Sequence, residues 1–519
     1  MKLPEFKNEP LSDFQNHPEQ GRKMKVAIEE VRKELGREYD LVIGGDRVKT
    51  SDKLVSYDPA QKDQVVGRFS KATPELAERA IQAAEAAFQG WSRTATERRV
   101  QLLLEAGRIL RERKYEYCAW LVFEVGKNWA EADADVAESI DFCEYYSREM
   151  LRLDNPAPLT PVPGENNYLR YIPLGVGVVI PPWNFPMAIL AGMTLASIVA
   201  GNTVVLKPSS DSPAVAYKFF EVLEQAGMPP GVVNFLPGSG AAVGDYLVGH
   251  PRIRYVAFTG SKEVGLRINE LAAKHQPGQR WVKRVVAEMG GKDSIVVDSD
   301  TDLDVAVEGV TASAFGFQGQ KCSACSRAIV VEKVYDAFLE KLKNRVRKIK
   351  VGPPWEPDVS MGPVINAKAR ESILKYIETG KREGRLISDG TDVSGSGYFV
   401  APTVIADVSP DAKIAQEEIF GPVLSVIKAR DFDQALEIAN NTEYGLTGAV
   451  YTKNRRKLEK AADTFHVGNL YLNRKCTGAL VGGHPFGGFN MSGTDSKSGG
   501  PDYLLLFTQA KTVAEKIGA

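Results

Sequence analysis

Between Leu174 and Gly291 the sequence alternates short apolar runs with longer amphipathic ones. "LGVGVVI", "NTVVLKP", "VVNFLPG", "RYVAFTG" and "KRVVAEMGG" read as strands, and helical patterning covers Met187 to Ala200, Ala214 to Ala226 ahead of Gly227, about 241–249, and a stretch from Lys262. Strands joined through helices pair in parallel, so the pattern predicts an α/β sheet covered on both faces. A second run of the same kind extends from "DSIVVD" to about residue 475. Two α/β units follow, the first of dinucleotide-binding size. Residues 73–150 read as mainly helical, with Thr73 as N-cap and Pro74 at the first helical position. The proline-rich piece "DNPAPLTPVPGENN" (154–167) interrupts the first unit, and "NYLRYIP" after it has the character of a strand in a hairpin that leaves the globule.

Bulk properties narrow the function. With 65 Lys and Arg against 66 Asp and Glu in 519 residues, no basic excess exists to hold nucleic acid or an anionic membrane surface. Tyr171 to Leu206 carries no charge, but the three prolines and asparagine of "PPWNFP" divide it into pieces too short to span a bilayer. The start "MKLPEFKNEP" lacks the apolar core of a signal peptide, so a cytoplasmic chain is expected. Five cysteines are too few for a disulfide framework.

Ligands of open α/β sheets gather at the carboxyl ends of strands. "VVNFLPG" runs into "GSGAAVG", where Gly238, Gly240 and Gly244 resemble a dinucleotide fingerprint with one residue too many; a plain glycine-lined turn is the other reading. "FTGS" offers Gly260 for close backbone approach and Ser261 at a helix start, as phosphate site, N-cap or both. Lys207 ends "VVLKP", within reach of ribose hydroxyls if a nucleotide crosses the sheet. A P-loop at "GGKDS" fails, because Val286 and Asp293 stand where glycine and Ser or Thr are needed.

"GQKCSACSR" holds Cys322 and Cys325 at C-x-x-C spacing. Zinc needs two further ligands, and Cys118, Cys143, Cys476 and the five histidines are scattered, so no metal is expected. A thioredoxin-like pair opens a helix after a first strand, whereas this pair follows a predicted helix far down the chain. A nucleophile needs a base, and "AEMGG" offers Glu288 in an apolar, glycine-flanked setting that would raise its pKa; an ordinary paired glutamate is the alternative.

Taken together, "PPWNFP", "VVLKPS", "FTGSKEVG", "AEMGGKD", "GQKCSACSR", "EEIFGPV" and "HPFGGFNMSG", in this order, resemble the aldehyde dehydrogenase superfamily from about residue 40 to the end. The resemblance implies a Rossmann-type cofactor domain (1–155 with 175–289, carrying an extension 1–40) and an α/β catalytic domain (290–490). It also implies a small β-flap for oligomerisation (156–174 with 491–519), hence a homodimer or an assembly of dimers. "FGFQGQKCSACSR" and "RKCTGALVGGHPFGGFNMSGTDSKSGGPDYL" are similar to the group that oxidises L-glutamate γ-semialdehyde with NAD in proline and arginine breakdown.

On that resemblance Cys322 is the nucleophile and Cys325 a packing neighbour. Asn184 and the Cys322 N–H hold the oxyanion, and Glu288 activates the water that hydrolyses the thioester. Pro182, Trp183, Lys207, Gly240, Gly244, Thr259, Gly260, Ser261, Val264, Glu418 and Phe420 fall at cofactor positions. Ser210 stands where NAD-specific members often carry a glutamate that repels a 2′-phosphate, which implies that NADP is tolerated. Ser323 and the N–H groups of Gly478 and Ala479 would anchor the substrate carboxylate, with Phe486 on its aliphatic part. Ala479 replaces a hydroxyl that relatives offer. The alternatives are a cofactor-free hydrolase or acyltransferase, a non-catalytic structural relative, and a dehydrogenase for another acidic semialdehyde such as succinate semialdehyde.

Overall fold

The computed structural model describes residues 1–156, 158–388 and 396–517. Two seven-stranded sheets organise it. In space the first runs Arg284–Glu288, Tyr255–Thr259, Val176–Ile180, Thr203–Leu206, Val233–Phe235, Leu41–Ile43, Asp46–Val48. The five strands expected from the sequence pair in parallel, and the last two add as an antiparallel edge. Gly177 lies where a Cβ would come within 2.0 Å of the Tyr255 ring on the adjacent strand, which explains the glycine inside an apolar run.

The second sheet runs Arg385–Ser388, Thr403–Ala406, Val423–Ala429, Arg327–Val331, Ser294–Val297, Thr447–Tyr451, Asn469–Leu472, parallel except for its first pair. The chain passes from the carboxyl end of Arg284–Glu288 through "MGGKD" straight into the amino end of Ser294–Val297. The carboxyl edge of one sheet therefore faces the amino edge of the other.

Helices Pro74–Trp91, Thr96–Glu112, Lys114–Val125 and Trp129–Leu153 match the helical reading of 73–150. Thr73 accepts from the Leu76 N–H and Pro74 follows it, as the sequence suggested. The uncharged stretch resolves into a strand, the "PPWNFP" loop, the helix Ala188–Val199 and another strand. Among the described residues no helix is long and apolar enough to cross a membrane.

Three further features lie outside the sequence reading. Arg37–Tyr39, Lys53–Asp58 and Gln61–Ser70 form a separate three-stranded sheet. A helix, Pro18–Glu34, buries Met24, Ile28 and Val31. Ahead of it an extended arm lies along Trp129–Leu153: Asn8 Nδ2 donates to Asp141 (2.8 Å) and to the Val481 carbonyl (3.0 Å), and Ser12 Oγ to Asp133 (2.6 Å). Glu165–Pro173 pairs antiparallel with Thr508–Lys516 over nine residue pairs, a two-stranded ribbon apart from both large sheets.

Candidate active site

Four adjacent parallel strands of the first sheet end in the motifs singled out above. After Ile180 come Pro182, Trp183 and Asn184; after Leu206, Lys207; after Thr259, Gly260 and Ser261; and Glu288 ends the fourth strand. Facing them, before strands of the second sheet, stand Cys322 to Ser326 and Glu418 to Phe420. The site is a seam between two sheet edges of opposite polarity. Only its first half obeys the rule that ligands sit at carboxyl ends.

Cys322 is half-buried whereas the other four cysteines are fully buried, and all five are unpaired. Its turn is held in an unusual shape, since Phe317 (φ 47°), Gln318 (φ 58°) and Gly319 (φ 68°) are all left-handed. The Gln318 amide fixes this by donating to the carbonyls of Gly126 (3.1 Å) and Pro363 (2.8 Å). A Cβ on Gly319 would lie 2.3 Å from the Gly421 carbonyl oxygen, and one on Gly291 would lie 2.6 Å from that of Cys322. Buried Asn184 donates from Nδ2 to the Gln320 carbonyl (3.1 Å), two residues before the thiol. Among the described residues the Cys322 N–H has no hydrogen-bond partner, so it and the second Asn184 amide hydrogen are free to serve an oxyanion.

Burial pushes the Cys322 thiol up, and Asp293, Glu418 and Glu288 add to the effect; the Ser323 N–H opposes it. Burial also pushes Glu288 up to about 8, against hydrogen bonds from Ser496 and from the Gly488 N–H (3.0 Å). Cys325 is 1% exposed, with its Sγ against the Arg327 carbonyl (3.5 Å) and its thiol beside that of Cys476. It packs into the core beneath the second sheet.

The cofactor positions fit a nucleotide, by local structure. Ser261 caps the helix Lys262–Ala273, accepting from the Val264 N–H (3.4 Å), and Val264 in its first turn is 43% exposed, an apolar surface for a base. Thr259 Oγ1 lies 3.8 Å from Met193 Sδ. Lys207 is buried, its pKa lowered by burial to about 8, and among the described residues its Nζ donates only to the Pro208 carbonyl at 3.4 Å. A buried ammonium with two donors left over suits ribose hydroxyls. Ser210 is exposed in the turn that follows.

The glycine turn departs from the fingerprint. It is a single π turn, Gly240–Gly244, leading into a five-residue helix, Asp245–Gly249, where the fingerprint calls for a long helix. A Cβ on Gly240 would meet nothing within 4 Å, and one on Gly244 would reach Lys207 Cε at 3.6 Å. Pro182 is buried, while the Trp183 ring meets Phe420 (5.5 Å) and Phe317 (6.4 Å) edge-on. Glu418 accepts from the Gly291 N–H (3.1 Å), and burial pushes it up to about 7. A Cβ on Gly290 would sit 2.2 Å from the same carboxylate, so both glycines of "EMGGKD" are close-approach positions.

On the turn after Cys476, whose Sγ donates to the Ser323 carbonyl (3.5 Å), Gly478 (φ 77°) is exposed and Ala479 half-exposed, and among the described residues their N–H groups have no hydrogen-bond partner. The Gly478 carbonyl accepts from Arg474 (3.0 Å), which fixes the turn. Ser323 is buried next to the thiol, and half-buried Phe486 exchanges both backbone hydrogen bonds with Ser498. Sequence reasoning missed the ion pairs beside the nucleophile turn. Lys321 pairs with Glu131 (2.6 Å), and fully buried Lys127 pairs with Asp135 (2.8 Å) and lies 3.8 Å from the Phe185 ring centroid. Burial beside Asp135 pushes Glu138 up to about 8. The spacing of Glu131, Asp135 and Glu138 on one helix face was the available signal.

A thiol at the seam between a nucleotide-type sheet and a second α/β sheet, with an amide donor beside it and a carboxyl across from it, is the arrangement of an NAD-linked aldehyde oxidiser. The sequence pattern of the aldehyde dehydrogenase family matches residues 47–513, and the chain belongs to that family. It is 61% identical over 510 residues (98% of this chain, 99% of the relative) to the 1-pyrroline-5-carboxylate dehydrogenase of Geobacillus kaustophilus (strain HTA426). A solved structure of 1-pyrroline-5-carboxylate dehydrogenase from Thermus with bound NAD matches with TM-score 0.98 at 53% identity, covering 100% of both chains. Betaine aldehyde dehydrogenase from Staphylococcus aureus in complex with NAD+ matches at TM-score 0.89 and 29% identity, over 96% of this chain and 98% of that one.

Proposed function

We propose that this chain oxidises L-glutamate γ-semialdehyde, the open form of 1-pyrroline-5-carboxylate, to L-glutamate with NAD⁺. An aldehyde carbon has no leaving group, so it releases hydride only after a nucleophile has made it tetrahedral. The Cys322 thiolate adds to the carbonyl carbon, and the oxygen takes the negative charge between the Asn184 amide and the Cys322 N–H. NAD⁺, when bound, supplies the acceptor for the hydride that leaves this carbon. Cys322 is left as a thioester. Glu288 takes a proton from water, the water oxygen attacks the thioester carbon, and the C–S bond breaks to give glutamate and thiolate. Lys207, Ser261 and Val264 would hold the nucleotide half, and Trp183, Glu418 and Phe420 the nicotinamide half.

The observation that carries the choice of substrate is the pair of unpartnered N–H groups at Gly478 and Ala479, on the turn that follows Cys476, whose thiol donates to the Ser323 carbonyl (3.5 Å). Such a turn binds a carboxylate without a cationic side chain, and fixing the carboxylate fixes the distance to the aldehyde carbon. The high identity to 1-pyrroline-5-carboxylate dehydrogenases over nearly the whole chain supports the same reading. The test is NADH formation with glutamate γ-semialdehyde, succinate semialdehyde and propanal. Glutamate γ-semialdehyde should give the highest kcat/KM. Gly478→Val and Ser323→Ala should lower that value far more than the value for propanal, which has no carboxylate. Equal losses on both aldehydes would show that the turn serves the fold and not recognition.

A further inference from the structure

The motif "HPFGGFNMSGTDSKS" has no role in the mechanism above beyond Phe486, yet its loop wraps Glu288. Thr494 N–H donates to the Ala287 carbonyl (2.9 Å), and Met289 N–H to the Ser492 carbonyl (2.7 Å), so the loop adds itself to the strand edge where Glu288 stands. Glu288 and Gly493 form an antiparallel bridge. Three glycines make the enclosure possible. A Cβ on Gly493 would lie 2.9 Å from Glu288 Oε2, one on Gly487 would lie 1.5 Å from the Ser496 carbonyl oxygen, and one on Gly488 would lie 2.5 Å from the Ser492 Cβ.

Into this enclosure point two donors. Buried Ser496 donates from Oγ to Glu288 Oε1, and the Gly488 N–H donates to Oε2. Asp495, immediately before Ser496, is left-handed (φ 58°), which helps aim the hydroxyl. The charged and titratable groups that face Glu288 are Lys497 and Asp495 from the same loop, Cys322 from the nucleophile turn and Tyr503 from the following 3-10 helix. Lys497 is held off the carboxylate, because its Nζ donates to the carbonyls of Gly468 (2.6 Å) and Gly487 (2.7 Å). Ser496 is the side chain that makes direct contact.

We propose that Ser496 is a positioning residue for Glu288, holding the carboxyl in a fixed place through its hydroxyl and thereby governing thioester hydrolysis without touching the substrate. The proposal rests on Glu288 being the base of that step. Its physical content is a balance of two effects. Burial drives the carboxyl toward its neutral form, and a donor to the carboxylate favours the ionised form that can accept a proton from water. Without the hydroxyl, burial is less opposed, so the base becomes available only at higher pH. The same loop carries Phe486, and its two arms are tied by the Phe486–Ser498 pair (2.9 and 2.8 Å), so contact with the substrate and placement of the base share one backbone.

The experiment compares the pre-steady-state burst of NADH with steady-state turnover in Ser496→Ala, Ser496→Thr and Glu288→Gln across neutral to alkaline pH. Ser496→Ala should keep the full burst, because hydride leaves before deacylation. Its steady-state rate should fall about tenfold at pH 7, and its rising pH limb should move to higher pH. Ser496→Thr, which keeps the hydroxyl, should restore both the rate and the limb. Burst and turnover lost in equal proportion at every pH, or an unmoved limb, would overturn the assignment while leaving Glu288 as the base, provided Glu288→Gln bursts and stalls. If Glu288→Gln turns over at the normal steady rate, the base assignment itself falls, and Ser496 falls with it.

Discussion

Gly291→Ala puts a single methyl group between the two halves of the site. The new Cβ would stand 2.6 Å from the Cys322 carbonyl oxygen and 2.6 Å from Asp293 Oδ2, whereas ordinary contact begins near 3.4 Å. The Asp293 carboxylate can turn only at the expense of its bond from the Thr447 N–H (2.7 Å), and the Cys322 oxygen is backbone, so the nucleophile turn must retreat by about 0.8 Å. A displacement of about 1 Å in a reacting group costs up to about a hundredfold in rate. Overpacking of this kind destabilises by roughly 1–3 kcal/mol, a few degrees of Tm for a chain of this size. The expected outcome is a kcat for NADH formation lowered by about ten- to a hundredfold, together with slower alkylation of Cys322 and a folded, modestly destabilised protein. Gly90→Ala is the control. Nothing lies within 4 Å of its Cβ and its helix is regular, so it should leave kcat unchanged and stabilise by roughly 0.5–1 kcal/mol. A Gly291→Ala enzyme with unaltered kcat would refute the claim that this glycine sets the place of the nucleophile.

Cys322→Ala should abolish dehydrogenase activity and keep NAD binding measurable by calorimetry, while Cys325→Ala keeps most turnover; a dead Cys325 variant beside an active Cys322 variant would reverse the assignment. Because Ser210 offers no carboxylate against a 2′-phosphate, wild type should reduce NADP at a measurable rate below that for NAD, and no rate at saturating NADP would mean that another group excludes it. The ribbon Glu165–Pro173/Thr508–Lys516 is a two-stranded sheet, marginal on its own, with outer edges available for pairing, so the chain should sediment as a dimer or an assembly of dimers. A solution mass of one chain would count against that.

The parallel strands from Val176 to Glu288 were legible because a strand buried on both faces is an unbroken apolar run, and Thr73-Pro74 was legible because a cap is a local event. Arg37–Tyr39 and Lys53–Asp58 were not, since short edge strands with mixed exposure carry no period to read. Cys322 was separable from Cys325 only through family resemblance. In three dimensions the distinction is one of burial, which C-x-x-C spacing does not encode. The acidic face of Glu131, Asp135 and Glu138 was a local signal, but its partner Lys321 lies 190 positions from Glu131 and the Ser496–Glu288 bond spans 208, so nothing local announced those pairings. At 240–244 the sequence left a fingerprint and a plain turn both open, because glycine spacing alone does not distinguish a π turn from the start of an α-helix.

The arm along Trp129–Leu153 has a consequence for how the molecule is made. Asn8 and the Val481 carbonyl it binds are 473 positions apart, and Phe6 reaches Gly482 in the same loop, where a Cβ would lie 3.0 Å from the Phe6 ring. At ribosomal rates of about 5–20 residues per second, roughly 25 to 95 s separate the synthesis of the two partners. Once the helix carrying Asp133 and Asp141 has been made, the arm can reach its sites there but not yet the loop at Val481 and Gly482. The brace on the Val481 loop therefore closes only after nearly the whole chain has been translated, and a nascent chain can bury much of the core of its first sheet before the arm is fully docked.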